Sequence, residues 1–87
     1  MHERRIAQDL VRTAGVTALE GGASRVRSIR VRIGALSRID PEALRGQLEW
    51  WSHGTIVEGA DVAVETDSEI GDRHSEDVRL VSVDVEA

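Results

Sequence analysis

Hydrophobic and polar positions follow two different periods along this chain. In two segments apolar residues recur every three or four positions, the spacing of a helix with one buried face. In three others they recur every second position, the spacing of a strand with one buried face. The predicted elements are helices over Glu3–Glu20 and Pro41–His53 and strands over Arg27–Ile33, Asp61–Thr66 and Val78–Val85.

Helix boundaries are marked by residues that stop or start a helix for known reasons. Gly21-Gly22 ends the first helix, because glycine readily adopts the left-handed conformation that closes a helix. Asp40 is an N-cap residue and Pro41 suits the first helical position, so a second helix begins there and ends at Gly54. Its predicted buried residues are Leu44, Leu48 and Trp51.

The order α-β-α-β-β predicts an α+β fold. A sheet of three strands in a single domain of 87 residues has one face to bury, so both helices should pack on that face of a mixed sheet. The first two strands, joined through a helix, should be parallel and connected with the right-handed crossover. The last two strands should form an antiparallel hairpin, with Val81, Val83 and Val85 on one face.

Composition narrows the classes of function. The chain has no Cys, which removes disulfides, thiolate zinc sites and cysteine nucleophiles. All eleven basic residues are Arg and the net charge is −5, distributed as +4 over residues 1–45 and −9 over residues 46–87. An acidic chain without Lys is a poor nucleic-acid binder. No apolar run approaches the roughly 20 residues of a membrane span, and no signal-peptide pattern is present, so we expect a cytoplasmic protein without a membrane association.

Catalytic spacing is missing from the sequence. None of the serines lies in a nucleophile elbow, and Gly21-Gly22 precedes a predicted strand, where a phosphate-binding loop would precede a helix. The carboxylates lie on polar faces and in loops, as solubility alone requires. We therefore do not expect an enzyme.

His2 is the most distinctive candidate for chemistry. The α-amino group of Met1, the backbone nitrogen of His2 and its imidazole can form fused chelate rings around one metal ion. Nickel(II) and copper(II) favour such nitrogen-rich, square-planar sites. A fourth position is open to the amide or carboxylate of Glu3 or to another donor. Arg4 and Arg5 oppose the site, because two cations repel a dication.

The other two histidines have simpler interpretations. His53 stands where a cationic side chain would face the negative end of the second helix. His74 lies in the polar segment 67–77, which indicates a solvated loop, although Asp72, His74 and Glu76 offer oxygen and nitrogen donors. A ligand role for either histidine stays open.

Several short motifs in order resemble the hydrogenase maturation nickel metallochaperones of the HypA/HybF family. They are Met1-His2-Glu3, Ile6-Ala7-Gln8, Val31-Arg32-Ile33-Gly34-Ala35-Leu36-Ser37, Asp40-Pro41-Glu42-Ala43-Leu44, Gly54-Thr55, Glu58-Gly59-Ala60 and Val81-Ser82-Val83-Asp84-Val85-Glu86. The resemblance implies a Ni(II)-binding domain of two helices and three strands, with Met1, His2 and Glu3 as the metal ligands. It also implies two partners, a HypB-like GTPase and the large subunit of [NiFe]-hydrogenase.

The sequence departs from this family at one place. The family inserts a zinc domain with two CxxC pairs between its last two strands, whereas residues 67–77 stand there in this chain. Structural zinc is therefore not expected. Two alternatives stay open: a metal-free or degenerate interaction module that docks a maturation GTPase without delivering nickel, and delivery to another nickel enzyme such as urease.

Overall fold

The structure is a computed structural model that describes residues 2–71, 73 and 75–87. Its elements follow the predicted order, and the predicted α+β fold of two helices and a three-stranded mixed sheet is confirmed. The helices pack against each other and against the strands around one hydrophobic core. The elements are α1 (Glu3–Glu20), β1 (Arg25–Ile33), α2 (Pro41–Ser52), β2 (Asp61–Thr66) and β3 (Val78–Glu86).

The first helix, α1, buries one stripe of small and branched side chains. Its buried residues, spaced by three or four positions, are Ala7, Leu10, Val11, Ala14 and Ala18. The helix ends as predicted: Gly22 has a φ of 78°, and the amide of Ala23 donates to the carbonyl of Ala18 at 2.9 Å. Only glycine adopts this φ without strain, so the sequence stops α1 at this point.

The second helix, α2, is held at its start by a side-chain cap. A carboxylate oxygen of Asp40 accepts a hydrogen bond from the amide of Glu42 at 3.1 Å, and Pro41 occupies the first turn. Leu44 and Leu48 are completely buried, as predicted. Trp51 is half-buried against the core, whereas the neighbouring Trp50 is 64% exposed. No described helix is long and apolar enough to span a membrane.

The order of strands differs from the prediction. The sheet runs β2-β1-β3, with β1 parallel to β2 and antiparallel to β3, so the expected hairpin between the last two strands is wrong. The connection between β2 and β3 instead crosses the end of β1. At this crossing the backbone amide of Asp67 donates to the carbonyl of Ile33 at 2.8 Å, and the backbone amide of Gly34 donates to the carbonyl of Asp77 at 2.7 Å. The physical reason is that β1 carries buried residues from Val26 to Ile33 and hydrogen-bonds a neighbouring strand on each side.

Two β-bulges set which side chains reach the core. Val26 pairs with Val85 but Ser28 pairs with Asp84, so Arg27 is an extra residue on β1. This shift brings Val26 and Ile29, which are three positions apart, into the same core.

The second bulge lies on β3, where Arg30 pairs with Ser82 and Val31 with Leu80. Val81 is the extra residue and is 44% exposed. The core-packed set on β3 is Val78, Leu80 and Val83, so the prediction that Val81, Val83 and Val85 share a face is wrong. A two-residue period read from sequence cannot detect an inserted residue.

The second bulge makes a prediction about stability. Leu80→Ala should lower the free energy of unfolding by about 1–2 kcal/mol, because a half-buried leucine loses part of its contact with the core. Val81→Ala should change it by less than about 0.5 kcal/mol, because Val81 lies outside the core. Urea unfolding of dilute protein measures both. A larger loss for Val81→Ala than for Leu80→Ala would contradict this register.

Candidate metal centre

His2 stands immediately before α1, and its side chain is not used by the fold. Its backbone has a φ of −113° and a ψ of 18°, its carbonyl accepts the amide of Ile6 at 3.1 Å, and its exposed imidazole makes no capping hydrogen bond. The first amides of a helix have no acceptor within that helix. The imidazole and the neighbouring amide nitrogens are therefore available without breaking a helical hydrogen bond.

Glu3 is the first residue of α1. Like His2, it is a predicted ligand that the structure describes. The pKa of its carboxyl lies below the ordinary value, because the carboxylate accepts hydrogen bonds, first from the amino terminus of the chain and then from the backbone amides of Glu3 and Asp40. The contact with Asp40 links the start of α1 to the cap of α2. Met1, the third predicted ligand, lies outside the described residues.

A cleft of about 590 Å³ opens beside His2. It lies between α1 and the residues around the start of β3, and its polar lining includes His2, Asp9, Ser37, Glu76, Asp77 and Arg79. The hydroxyl oxygen of Ser37 is buried and has no hydrogen-bond partner. The sequence predicted no site role for Asp9, and Ser37 stood out only as the last residue of a family motif. The connection from β2 to β3 brings Glu76, Asp77 and Arg79 to this cleft by crossing the end of β1, and no sequence pattern indicates that crossing.

Arg4, which opposes a metal site by its charge, is held against α2. Its guanidinium carbon lies 5.6 Å from the centroid of the Trp51 ring, a cation–π contact. Residues two apart on a helix project to nearly opposite sides, so His2 and Arg4 do not face each other. Trp51 is fixed in turn by a hydrogen bond from its indole nitrogen to Gln47 at 2.9 Å. Arg5 is exposed at the start of α1.

The remaining candidates divide between described and undescribed residues. His53 is the C-cap residue of α2, as expected, and its ring meets that of Trp50 edge-on at 5.5 Å between centroids. Glu76 is exposed, whereas Asp72 and His74 lie outside the described residues. Within the part of the chain that the structure describes, no group of three or more His, Asp or Glu side chains is arranged to hold a metal ion.

A second, larger cleft lies on the other side of α1. It has a volume of about 850 Å³ and a mostly apolar lining that includes Val16, Leu19, Trp51 and Ile56. Its polar lining residues, Gln8, Arg12, Thr55 and Glu58, form no arrangement for acid–base or nucleophilic chemistry. The amino-terminal end of α1 therefore remains the best candidate for a functional site.

The lowered pKa of Glu3 makes a prediction about pH. A carboxyl whose pKa is lower in the folded state stabilises the fold above its unfolded pKa and loses this effect as the pH falls through the folded value. Glu3→Gln should therefore unfold at a lower temperature than the wild type at neutral pH, and the difference should vanish in acid. Thermal unfolding across pH tests this, with Glu49→Gln as control. A constant difference at every pH would contradict it.

Comparison with known proteins assigns a family to this fold. The family model described as "Hydrogenase/urease nickel incorporation, metallochaperone, hypA" matches residues 1–72. The hydrogenase maturation factor HypA of Methanopyrus kandleri is 45% identical over 65 residues, which are 75% of this chain and 46% of that protein. HypA of Rhizobium leguminosarum bv. viciae is 34% identical over 64 residues, 74% of this chain and 57% of that one.

Solved structures agree at the level of the fold. The solution structure of the Ni metallochaperone HypA from Helicobacter pylori superposes with a TM-score of 0.85 at 16% identity, over 100% of this chain and 99% of that chain. The solution structure of another HypA protein gives a TM-score of 0.69 at 15% identity, over 98% and 96% of the two chains. This chain spans about half the length of the curated relatives it matches. It belongs to the HypA family of nickel metallochaperones for hydrogenase and urease maturation.

Proposed function

We propose that this protein binds Ni(II) at its amino terminus and delivers it to an enzyme during maturation. The ligands are the α-amino group of Met1, the backbone nitrogen and imidazole of His2, and Glu3. The observation that carries the proposal is the position of His2: its imidazole is exposed, makes no capping contact and stands beside first-turn amides without helical acceptors.

The chemistry of these donors suits nickel. Binding through the amine, the His2 amide nitrogen and the imidazole closes one five-membered and one six-membered ring around the ion. The amine and the amide each lose a proton to solvent when they bind. The resulting nitrogen ligands produce the strong ligand field that Ni(II) prefers in planar geometry. Magnesium and calcium, which prefer oxygen ligands, do not compete for it.

Transfer requires that the ion can leave. His2 is exposed, so a recipient protein can approach the metal and replace the ligands one at a time. Glu3 supplies the fourth donor, through its amide or its carboxylate, and is the first ligand to be exchanged. The chelate uses no thiolate, so it can form in a chain without Cys.

The recipients follow from the family. The relatives are named as hydrogenase maturation factors, and the family description also includes urease. We propose the [NiFe]-hydrogenase large subunit as the recipient and a HypB-like GTPase as the partner that docks near the amino terminus. We propose that both act with this protein in the cytoplasm.

Calorimetric titration with Ni(II) tests the site. Protein with its native amino terminus should bind one ion, with an absorption band of planar Ni(II). His2→Ala removes the imidazole, and an added Gly-Ser at the amino terminus displaces the α-amine from its ring. Each change should weaken binding by at least about tenfold.

Three outcomes separate the proposal from its alternatives. His53→Ala is the matched control and should bind nickel as the wild type does, because His53 caps the far end of α2. Equal binding by the wild type, His2→Ala and the extended protein would disprove the terminal chelate and point to Asp72, His74 and Glu76. Absence of binding in all three would favour the metal-free interaction module.

A further inference from the structure

The two edges of the sheet differ in how they are covered. On β2, a guanidinium nitrogen of Arg45 donates to the Val62 carbonyl at 2.6 Å, so a side chain from α2 covers part of that edge strand. On β3, Ser24 contacts the carbonyl of Glu86 next to β1. No other described side chain hydrogen-bonds the β3 backbone. The outer edge of β3 therefore offers unpaired amides and carbonyls to another strand.

The side chains of β3 form two rows. Val78, Leu80 and Val83 pack against the core, and Val85 pairs across the sheet with the buried Val26 but is itself 40% exposed. The other face carries the charged and polar residues, Arg79, Ser82 and Asp84. Any strand that pairs with this edge must therefore place apolar residues in one row. In the other row it must match the anion Asp84 and the cation Arg79, whose guanidinium also lies 4.0 Å from the Asp67 carboxylate of its own chain.

A second copy of β3 meets both requirements. With the two strands antiparallel and Val81 opposite Ser82 of the second copy, Val78 lies opposite Val85, Leu80 opposite Val83, and Arg79 opposite Asp84. A strand of regular alternation could not pair with itself in this register, because residues on opposite faces would be matched. The bulge at Val81 shifts the alternation by one residue and makes the match possible.

We propose that two copies of this protein pair along β3 across a two-fold axis and form one continuous sheet. Because of the two-fold axis, the Arg79–Asp84 pair forms twice. The apolar pairs Val78–Val85 and Leu80–Val83 each form once on either side of the axis. An unrelated acidic strand is repelled by Asp84 and Glu86, whereas a second copy brings Arg79 to Asp84. The net charge of −5 on each copy opposes association, so the dimer is reversible and depends on concentration.

The proposed interface along β3 lies next to the candidate metal centre. Val78 and Arg79 line the cleft beside His2 as well as beginning β3. In the dimer, Val85 of the second copy, which lies opposite Val78, therefore stands at the border of this cleft.

Sedimentation equilibrium on the full chain tests this surface by charge exchange. The wild type should show a monomer–dimer equilibrium. Arg79→Glu and Asp84→Arg should each weaken association by about tenfold or more, because each places like charges opposite one another twice. The double variant R79E/D84R restores opposite charges and should recover the dimer. Arg12→Glu is the control for Arg79→Glu, because it makes the same change of charge at an exposed side chain on α1. This variant should dimerise as the wild type does.

A second measurement does not depend on these variants. Amide exchange along residues 78–85 should slow as the protein concentration rises, while exchange in β2 should not change. A wild type that stays monomeric at every concentration would overturn the proposal. A dimer that neither single change weakens, or that the double variant fails to restore, would place the interface elsewhere and overturn it too.

Discussion

The structure depends on the pairing of β1 with a strand on each side. The core-facing residues of β1, including Ile29, Val31 and Ile33, are almost completely buried, and its backbone is hydrogen-bonded to β2 and β3. A central strand satisfies its backbone without help from side chains or water. Because β2 reaches β1 through α2, it lies parallel to it, and β3 can pair only on the other side. The positions of both helices follow, since they cover the face on which these side chains lie.

The connection between β2 and β3 lies at the same end of the molecule as the candidate metal centre. To join strands on opposite sides of β1, the chain passes over the end of β1, where Asp67 and Asp77 are tied to Ile33 and Gly34. The residues that follow border the cleft at His2. The connection between β2 and β3 is therefore next to the amino-terminal end of α1 in this fold.

The candidate nickel site places few demands on the fold. A chelate made by the amino group, one amide and one imidazole would be preorganised by covalent bonds, so it asks little of the rest of the chain beyond an exposed His2 imidazole. Here α1 begins directly after His2, and the contact between Arg4 and Trp51 holds a competing cation on the side toward α2. The lowered pKa of Glu3 keeps its carboxylate charged at the start of α1.

The sequence alone determined the local features of this protein. It located all five elements, the cap at Asp40 and the helix end at Gly21-Gly22, because capping and periodicity depend on neighbouring residues. It also suggested Met1, His2 and Glu3 as candidate ligands, because a chelate of that kind needs only consecutive residues. The tertiary structure decided the strand order, the bulge at Val81 and the cleft lined by Ser37 and Glu76. These features arise from contacts between distant segments, where alternation shows which face a residue takes but not which strand lies beside it.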